Sequence, residues 1–229
     1  MAAASATSDY PRGNGTGGGG WTGADCALLL GLFAFAALRT ASLVFSPLEL
    51  GVDEAQYWLW STGFDFGYYT KPPLTSWIIG LSHGLFGHHE WAVRLPAPWL
   101  HLATSLVLWR AADWLAGPAA GWIAAIIWMT LPSIALGSFV ISTDTPLLLC
   151  WSAGVLALVG VLTGRLRERR GMLLAGGAFG AAMLAKYAAI YGLAGLALFV
   201  LATSVLSRGK DRQKVIGWRG LGLFALGMV

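Results

Sequence analysis

The chain has 229 residues, of which 56% are apolar and only 11% are charged, and its mean hydropathy is +0.65. Water-soluble domains carry about 25% charged residues, so the composition excludes an ordinary soluble globular protein. Apolar runs recur along the chain, many of them near the roughly 20 residues that a helix needs to cross a bilayer. The sequence therefore predicts an all-α polytopic membrane protein.

The first 23 residues are rich in alanine, serine, threonine and glycine, and they predict a disordered glycine-rich tail. The glycine run at 17–20 lacks a following Gly-Lys-Ser/Thr, so it is not interpreted as a phosphate loop. The apolar run at 26–45 is longer than a signal-peptide core and has no clear cleavage site. We therefore interpret this run as the first span.

Residues 24–229 are predicted to form one transmembrane domain with six to seven helices. The expected spans lie near 24–45, 91–109, 118–136, 145–163, 171–186 and 188–206, and a seventh begins near 219. The last apolar run, 217–229, is too short to cross a bilayer. We therefore expect this domain to be incomplete at its carboxy terminus.

Clustered basic residues predict the orientation. Arginine and lysine concentrate in two loops, at Arg165, Arg167, Arg169 and Arg170, and at Arg208, Lys210, Arg212, Lys214 and Arg219. Cytoplasmic loops are enriched in these residues. The pattern predicts a multi-pass protein of the cytoplasmic membrane, with a cytoplasmic amino terminus and with Lys71, Arg94 and Lys186 on the outer side.

Residues 46–90, here called the platform, are too polar to cross the membrane and unusually aromatic. Their aromatic residues include Tyr57, Trp58, Trp60, Phe64, Phe66, Tyr68, Tyr69 and Trp77. Such side chains suit the membrane interface, where one end of the ring is apolar and the other is wet. We predict two short interfacial helices, 53–61 and 74–86, in this first outer loop.

Asp53 and Glu54 are the candidate catalytic carboxylates. Adjacent helical side chains diverge by about 100°, so one should face the reacting centre while the other supports it. We assign Asp53 as general base and Glu54 as its support. The alternative is helix capping by Asp53 with Gln56 three residues later.

Lys71 is the first candidate for binding a donor phosphate. Pro72 and Pro73 restrict the backbone around it and present the lysine just before a helix. Its ammonium is a compact charge suited to a phosphate oxygen. A lysine that only meets lipid headgroups is the alternative.

Four further residues complete the predicted outer site. Lys186 and Arg94 stand at the outer ends of spans and are assigned to the donor phosphate, while Asp144 and Tyr69 are assigned to the acceptor or sugar cavity. The alternatives are ordinary helix-start chemistry for Asp144, dipole stabilisation for Lys186 and snorkelling for Arg94. Arg39, in the first span, receives no role.

A metal site is not assigned. His83, His88, His89 and Glu90 are close in sequence, but the adjacent His88 and His89 lack the i, i+4 spacing of helical metal ligands. We interpret this stretch as a polar loop. No cofactor is assigned, and a divalent cation is left open.

Several motifs occur together in a fixed order: Asp53-Glu54 after the first span, Tyr68-Tyr69-Thr70-Lys71-Pro72-Pro73-Leu74, Arg94-Leu95-Pro96, and Thr143-Asp144-Thr145-Pro146. This arrangement resembles the membrane glycosyltransferases of the GT-C type. The resemblance is to the branch that groups protein O-mannosyltransferase-like enzymes with bacterial lipid A aminoarabinose transferases. It covers about residues 24–206.

The resemblance implies transfer of a sugar from a polyprenyl-phosphate donor, usually with inversion, at the outer membrane face. It implies that Asp53 is the catalytic carboxylate, Glu54 its partner and Lys71 the contact of the lipid phosphate, with Asp144 on the acceptor or sugar side. The acceptor would be a glycolipid, a glycan or a protein, and no nucleic acid partner is implied. Thr70 stands where aminoarabinose transferases often carry glutamate, so a metal-binding role of that carboxylate does not carry over.

Two other functions remain open from the sequence. A transporter or flippase for a lipid-linked anion could use the same lysines and carboxylates, although transporters place such groups near the bilayer midplane. A truncated, non-catalytic membrane subunit is the other alternative.

Overall fold

The computed structural model describes residues 22–206 and 218–228, and every regular element within them is helical. The helices are α1 Gly23–Val44, α2 Val52–Ser61, α3 Leu74–Phe86, α4 Glu90–Arg94, α5 Pro96–Ala116, α6 Pro118–Thr130, α7 Pro132–Gly137, α8 Asp144–Leu162, α9 Glu168–Ala185, α10 Ile190–Leu206 and α11 Trp218–Met228. A 3-10 turn, Tyr187–Ala189, joins α9 to α10. Most of the predicted tail and of the second basic loop lies outside the described residues.

Two of the described helices, α1 and α8, are long and apolar enough to cross a membrane. Other apolar helices, among them α3 and α6, are shorter than 18 residues. The predicted all-helical membrane fold is thus present, while length and composition identify fewer spans than the six to seven expected.

One predicted span, 118–136, is wrong as a continuous helix. Helix α6 ends at Thr130, Leu131 adopts an extended ψ of 133°, and α7 begins at Pro132. Proline has no N–H to donate and disfavours helical backbone at the residue before it. The apolar pattern continues through this point, but the hydrogen-bond ladder does not.

Arg39 occupies this break. Its Nη2 donates to the Met129 carbonyl oxygen at 2.7 Å, and its Nη1 donates to Ser138 Oγ at 2.9 Å. The guanidinium is buried and also lies 4.5 Å from the centre of the Phe35 ring. Arg39 therefore ties α1 to the end of α6 and to the start of the connection between α7 and α8.

The bundle is built from close helix pairs. Helices α5 and α6 form an antiparallel hairpin whose single connecting residue, Gly117, has a φ of +91° that favours glycine. Gly121 then lets α6 approach α5, because a Cβ there would lie 2.8 Å from the Trp109 carbonyl oxygen. Helices α8, α9, α10 and α11 pack around the buried Phe179.

The platform helices are confirmed as helices within a residue of the predicted boundaries. The loop between them folds back onto both: Tyr68 stacks on Trp60 with ring centres 4.9 Å apart, and Phe64 stacks on Trp77 at 5.2 Å. Trp77 Nε1 also donates to the Asp65 carbonyl oxygen at 2.9 Å. These contacts fix the loop that leads to Lys71.

Candidate active site

The first turn of α2 separates the two candidate carboxylates. Asp53 is exposed, whereas Glu54 is buried with 1% of its surface accessible. This follows from the helical rotation of about 100° per residue. Only Asp53 is therefore open to a ligand.

Glu54 is fully engaged inside the protein. Its Oε1 accepts from Arg94 Nε at 2.9 Å and from the Ile141 N–H at 3.0 Å. Its Oε2 accepts from Arg94 Nη2 at 2.7 Å and from the Gly51 N–H at 2.9 Å. One carboxylate thus joins α2, α4 and the α7–α8 connection.

The placement of Arg94 corrects its predicted role as a ligand of the donor phosphate. Besides Glu54, its guanidinium donates to the carbonyl oxygens of Leu48 at 2.9 Å and Glu49 at 2.8 Å. The side chain is 4% exposed. Because its donors already point to protein acceptors, Arg94 holds the platform instead of offering charge to a ligand.

Tyr57, one turn after Asp53, connects α2 with the start of α8. It is 2% exposed and packs in one buried cluster with Ile141, which lies three residues before Asp144. Burial raises the pKa of its phenol, and the charges of Asp53 and Asp144 raise it further, while the Thr143 side chain acts in the opposite direction. The bond from the Ile141 N–H to Glu54, the neighbour of Asp53, brings the same two segments together.

Asp144 and Lys186 form an ion pair of 2.7 Å between Lys186 Nζ and Asp144 Oδ1. Asp144 is the first residue of α8, and Lys186 follows α9 with extended backbone. Each charge complements the dipole of its helix. The side chains remain 51% and 37% exposed respectively, so two residues predicted to serve different substrates share one open position.

Lys71 lies in the loop before α3 and is partly exposed. Its carbonyl oxygen accepts from the Tyr68 N–H at 3.2 Å, and the prolines that follow it are buried. Leu74 packs on the apolar cluster of Leu147, Ala182, Ala185 and Ala189, which adjoins Asp144 and Lys186 in sequence. The Lys71 segment is therefore docked at the same end of the bundle as that ion pair.

Tyr69, which is predicted to belong to the acceptor or sugar cavity, lies in the loop before Lys71. Its side chain is 100% exposed.

The histidines of the platform engage protein groups: His88 Nδ1 accepts from Trp58 Nε1 at 3.1 Å, and His83 Nε2 lies 2.9 Å from Ser61 Oγ. Among the described residues, no group of three or more histidine, cysteine or acidic side chains is placed to hold a metal ion.

Two residues of this site were not singled out in the sequence. From the sequence, Tyr57 is one of several interfacial aromatic residues, and Thr143 is part of a helix start. Their spacing carries a usable signal, because Tyr57 lies four residues after Asp53 on the same helix face and Thr143 adjoins Asp144. What sequence alone lacked was the contact between the two segments.

The exposed groups at this end suit acid–base and phosphate chemistry. Asp53 could accept a proton, and the ammonium groups of Lys71 and Lys186 could stabilise phosphate charge.

A sequence profile of the family described as dolichyl-phosphate-mannose-protein mannosyltransferase matches residues 70–229. The chain belongs to this family. It is thus part of a membrane glycosyltransferase family, and the GT-C resemblance is confirmed.

Two individual proteins are similar over most of the chain. Lipid A galacturonosyltransferase RgtD from Rhizobium johnstonii is 39% identical over 178 residues, which cover 76% of this chain and 36% of RgtD. The crystal structure of ArnT from Cupriavidus metallidurans in the apo state superposes with a TM-score of 0.71 at 21% identity. That match covers 90% of this chain and 41% of ArnT. The chain therefore spans about two fifths of the length of these proteins.

Proposed function

We propose that the protein transfers a sugar from a polyprenyl-phosphate carrier to a lipid, glycan or protein acceptor at the outer face of the cytoplasmic membrane. Family membership supports sugar transfer. The observation that carries the proposal is the hydrogen bond of 3.0 Å from the Ile141 N–H to Glu54 Oε1, which brings the first turn of α2, with the exposed Asp53, to the segment that leads into Asp144 and α8. Asp144 in turn binds Lys186.

In the proposed reaction, Asp53 accepts the proton of an acceptor hydroxyl. The acceptor oxygen then bonds to the anomeric carbon as the bond from that carbon to the phosphate oxygen breaks, with inversion at the sugar. A positioned general base of this kind contributes about 10² to 10⁴ in rate. Glu54 supports this step only by holding α2, since its oxygens are bonded to Arg94 and to backbone N–H groups.

The departing phosphate is proposed to be stabilised by Lys71 and, in part, by Lys186. No ion pair of Lys71 occurs in the described part of the chain, so its ammonium is available to a lipid phosphate. Lys186 shares its charge with Asp144. Preorganised cations of this kind stabilise charge that develops on a leaving group.

The outer location rests on charge distribution. Helix α8 carries Asp144 at its beginning, and the loop after its end carries Arg165 and Arg167. Since cytoplasmic loops are enriched in arginine and lysine, the end with Asp144 belongs outside.

The test is sugar transfer by the full-length protein in membrane vesicles supplied with radiolabelled polyprenyl-phosphate sugars. We expect Asp53→Asn to lower kcat at least about 100-fold while donor binding and thermal stability stay unchanged. Glu49→Gln is the matched control, because this carboxylate is also exposed on the platform. Full transfer by Asp53→Asn would remove the assigned base.

The donor role of Lys71 has its own test. Lys71→Ala should raise KM for the lipid-linked sugar about tenfold or more, as expected for a lost charge-assisted bond of about 1.5 to 3 kcal/mol, and Lys71→Arg should restore part of it. The measurement is initial rate against donor concentration at saturating acceptor. An unchanged KM in Lys71→Ala would contradict phosphate binding by this residue.

A further inference from the structure

The connection between α8 and α9 exposes four arginines. Arg165, Arg167, Arg169 and Arg170 are all exposed, and no hydrogen bond or ion pair of their side chains occurs in the described part of the chain. Glu168 is the only acidic residue between 163 and 171. In the proposed function these arginines bear only on the orientation of the chain in the membrane, and none of them takes part in the reaction.

The connection has a fixed shape. Gly164 turns the chain with a φ of +72°, and the Leu166 N–H donates to the Gly160 carbonyl oxygen at 2.8 Å. Leu166 and Trp114 of α5 meet over Gly160, where a Cβ would lie 2.7 Å from Leu166 Cδ1 and 2.9 Å from Trp114 Cζ3. Leu166 is therefore held beside α5, and the exposed Arg165 and Arg167 flank it in sequence.

Arg110 adds a fifth guanidinium to this position. It lies 5.3 Å from the centre of the Trp114 ring and forms an exposed ion pair with Asp113 at 3.3 Å. Trp114 thus has Leu166 on one side and Arg110 nearby. We call the group of Arg110, Arg165, Arg167, Arg169 and Arg170 the arginine surface.

The arginine surface lies at the end of the bundle opposite the active site. Helix α8 has 19 residues between Asp144 and Leu162, which is about 28 Å at 1.5 Å per residue. Since α8 is long and apolar enough to cross a bilayer, its two ends reach the two headgroup layers. The arginines are therefore at headgroup level.

Helix stability does not account for these arginines. Arg169 and Arg170 stand in the first turn of α9, where the helix dipole disfavours cations. The planar guanidinium instead matches phosphate, to which it can donate two parallel hydrogen bonds. We propose that the arginine surface binds the phosphate groups of anionic phospholipids in the leaflet opposite the active site.

The test measures which lipids the full-length protein retains from equimolar mixed vesicles of phosphatidylglycerol and phosphatidylcholine, by mass spectrometry of the purified protein. We expect the wild type to enrich phosphatidylglycerol. Each single Arg→Gln change at 165, 167, 169 or 170 should lower that enrichment by up to about fivefold. This factor corresponds to the roughly 1 kcal/mol that one basic residue contributes near an anionic surface. Equal enrichment by the wild type and the fourfold variant would overturn the proposal.

Glu168→Gln is the matched control of opposite sign. Removing this acid should increase the enrichment, and an unchanged or lower value would count against the proposal. Inorganic phosphate at 10 mM should leave the retained lipid unchanged, whereas displacement by phosphate would assign the surface to a soluble anion. Lipid retention is read without sugar transfer, so its outcome is independent of the proposed enzymatic activity.

Discussion

Two ion pairs at the active-site end have the same length and opposite surroundings. Arg94 Nη2 to Glu54 Oε2 and Lys186 Nζ to Asp144 Oδ1 both measure 2.7 Å. The first pair is 4% and 2% exposed, and the second is 37% and 51% exposed. The partners around each pair, and not the distance within it, indicate what the pair does.

The buried pair has no capacity left for a ligand. Arg94 also binds two carbonyl oxygens, and Glu54 also accepts two backbone N–H groups. In the exposed pair, by contrast, Lys186 uses one of its three donors and Asp144 uses one oxygen in a bond to another side chain. The first pair therefore organises the platform, and the second can exchange its partner for a substrate group.

The largest effect that separates the pairs is expected for Arg94→Met. Removing one partner of a buried pair leaves the other charge uncompensated, which costs about 3 to 5 kcal/mol. Arg94→Met should therefore lower the free energy of unfolding by about that amount, measured by reversible unfolding in mixed micelles with increasing dodecyl sulfate.

Two further variants serve as controls for the Arg94→Met measurement. Arg110→Met removes an arginine from an exposed pair and should change the free energy of unfolding by less than about 1 kcal/mol. The double variant Arg94→Met, Glu54→Met should recover much of the loss, because no buried charge then remains unpaired. A small effect of Arg94→Met alone would contradict the structural role of the pair.

A smaller, pH-dependent effect is expected for Tyr57, which is buried in α2. Burial and two neighbouring carboxylates raise the pKa of its phenol above the ordinary value near 10. At a pH below about 10, the phenol keeps its proton in both the folded and the unfolded state. Above it the unfolded state ionises first, so stability is lost as the pH rises towards the folded pKa.

Tyr57→Phe should therefore flatten the decline of the unfolding free energy as the pH rises above about 10, relative to wild type. Near pH 7, where both the folded and the unfolded state keep the phenolic proton, this pH-dependent difference between wild type and variant should be absent. Tyr191→Phe, which changes an exposed tyrosine, is the control. An identical alkaline decline in wild type and Tyr57→Phe would show that the phenol ionises normally in the folded protein.

Much of the fold could be predicted because composition and local pattern determine it. The ranges of the platform helices could be predicted from local signals, since Pro72 and Pro73 mark the start of α3. The break between Thr130 and Pro132 was missed because apolar periodicity continues across it, although proline chemistry could have located it. Arg39 received no role, since its acceptors Met129 and Ser138 are about 90 and 99 residues away in sequence.

The sequence predicts the candidate site as a set of residues at one end of the bundle, but it does not predict which of them pair with each other. Helix geometry correctly required Asp53 and Glu54 to face different surroundings. It did not reveal that Arg94, 40 residues later, binds Glu54. An arginine at a helix end has the same local sequence whether it meets a lipid phosphate or a buried carboxylate, so only the tertiary contact distinguishes the two.

The smallest effect on stability is expected for Lys186→Met, because exposed ion pairs contribute about 0 to 1 kcal/mol. If Lys186 exchanges Asp144 for the donor phosphate, the same substitution should still raise KM for the lipid-linked sugar several-fold. A double-mutant cycle with Asp144→Asn should give a coupling in unfolding free energy below about 1 kcal/mol. A coupling as large as that of Arg94 and Glu54 would show that both pairs hold the fold, and Lys186 would then have no free charge to offer a substrate.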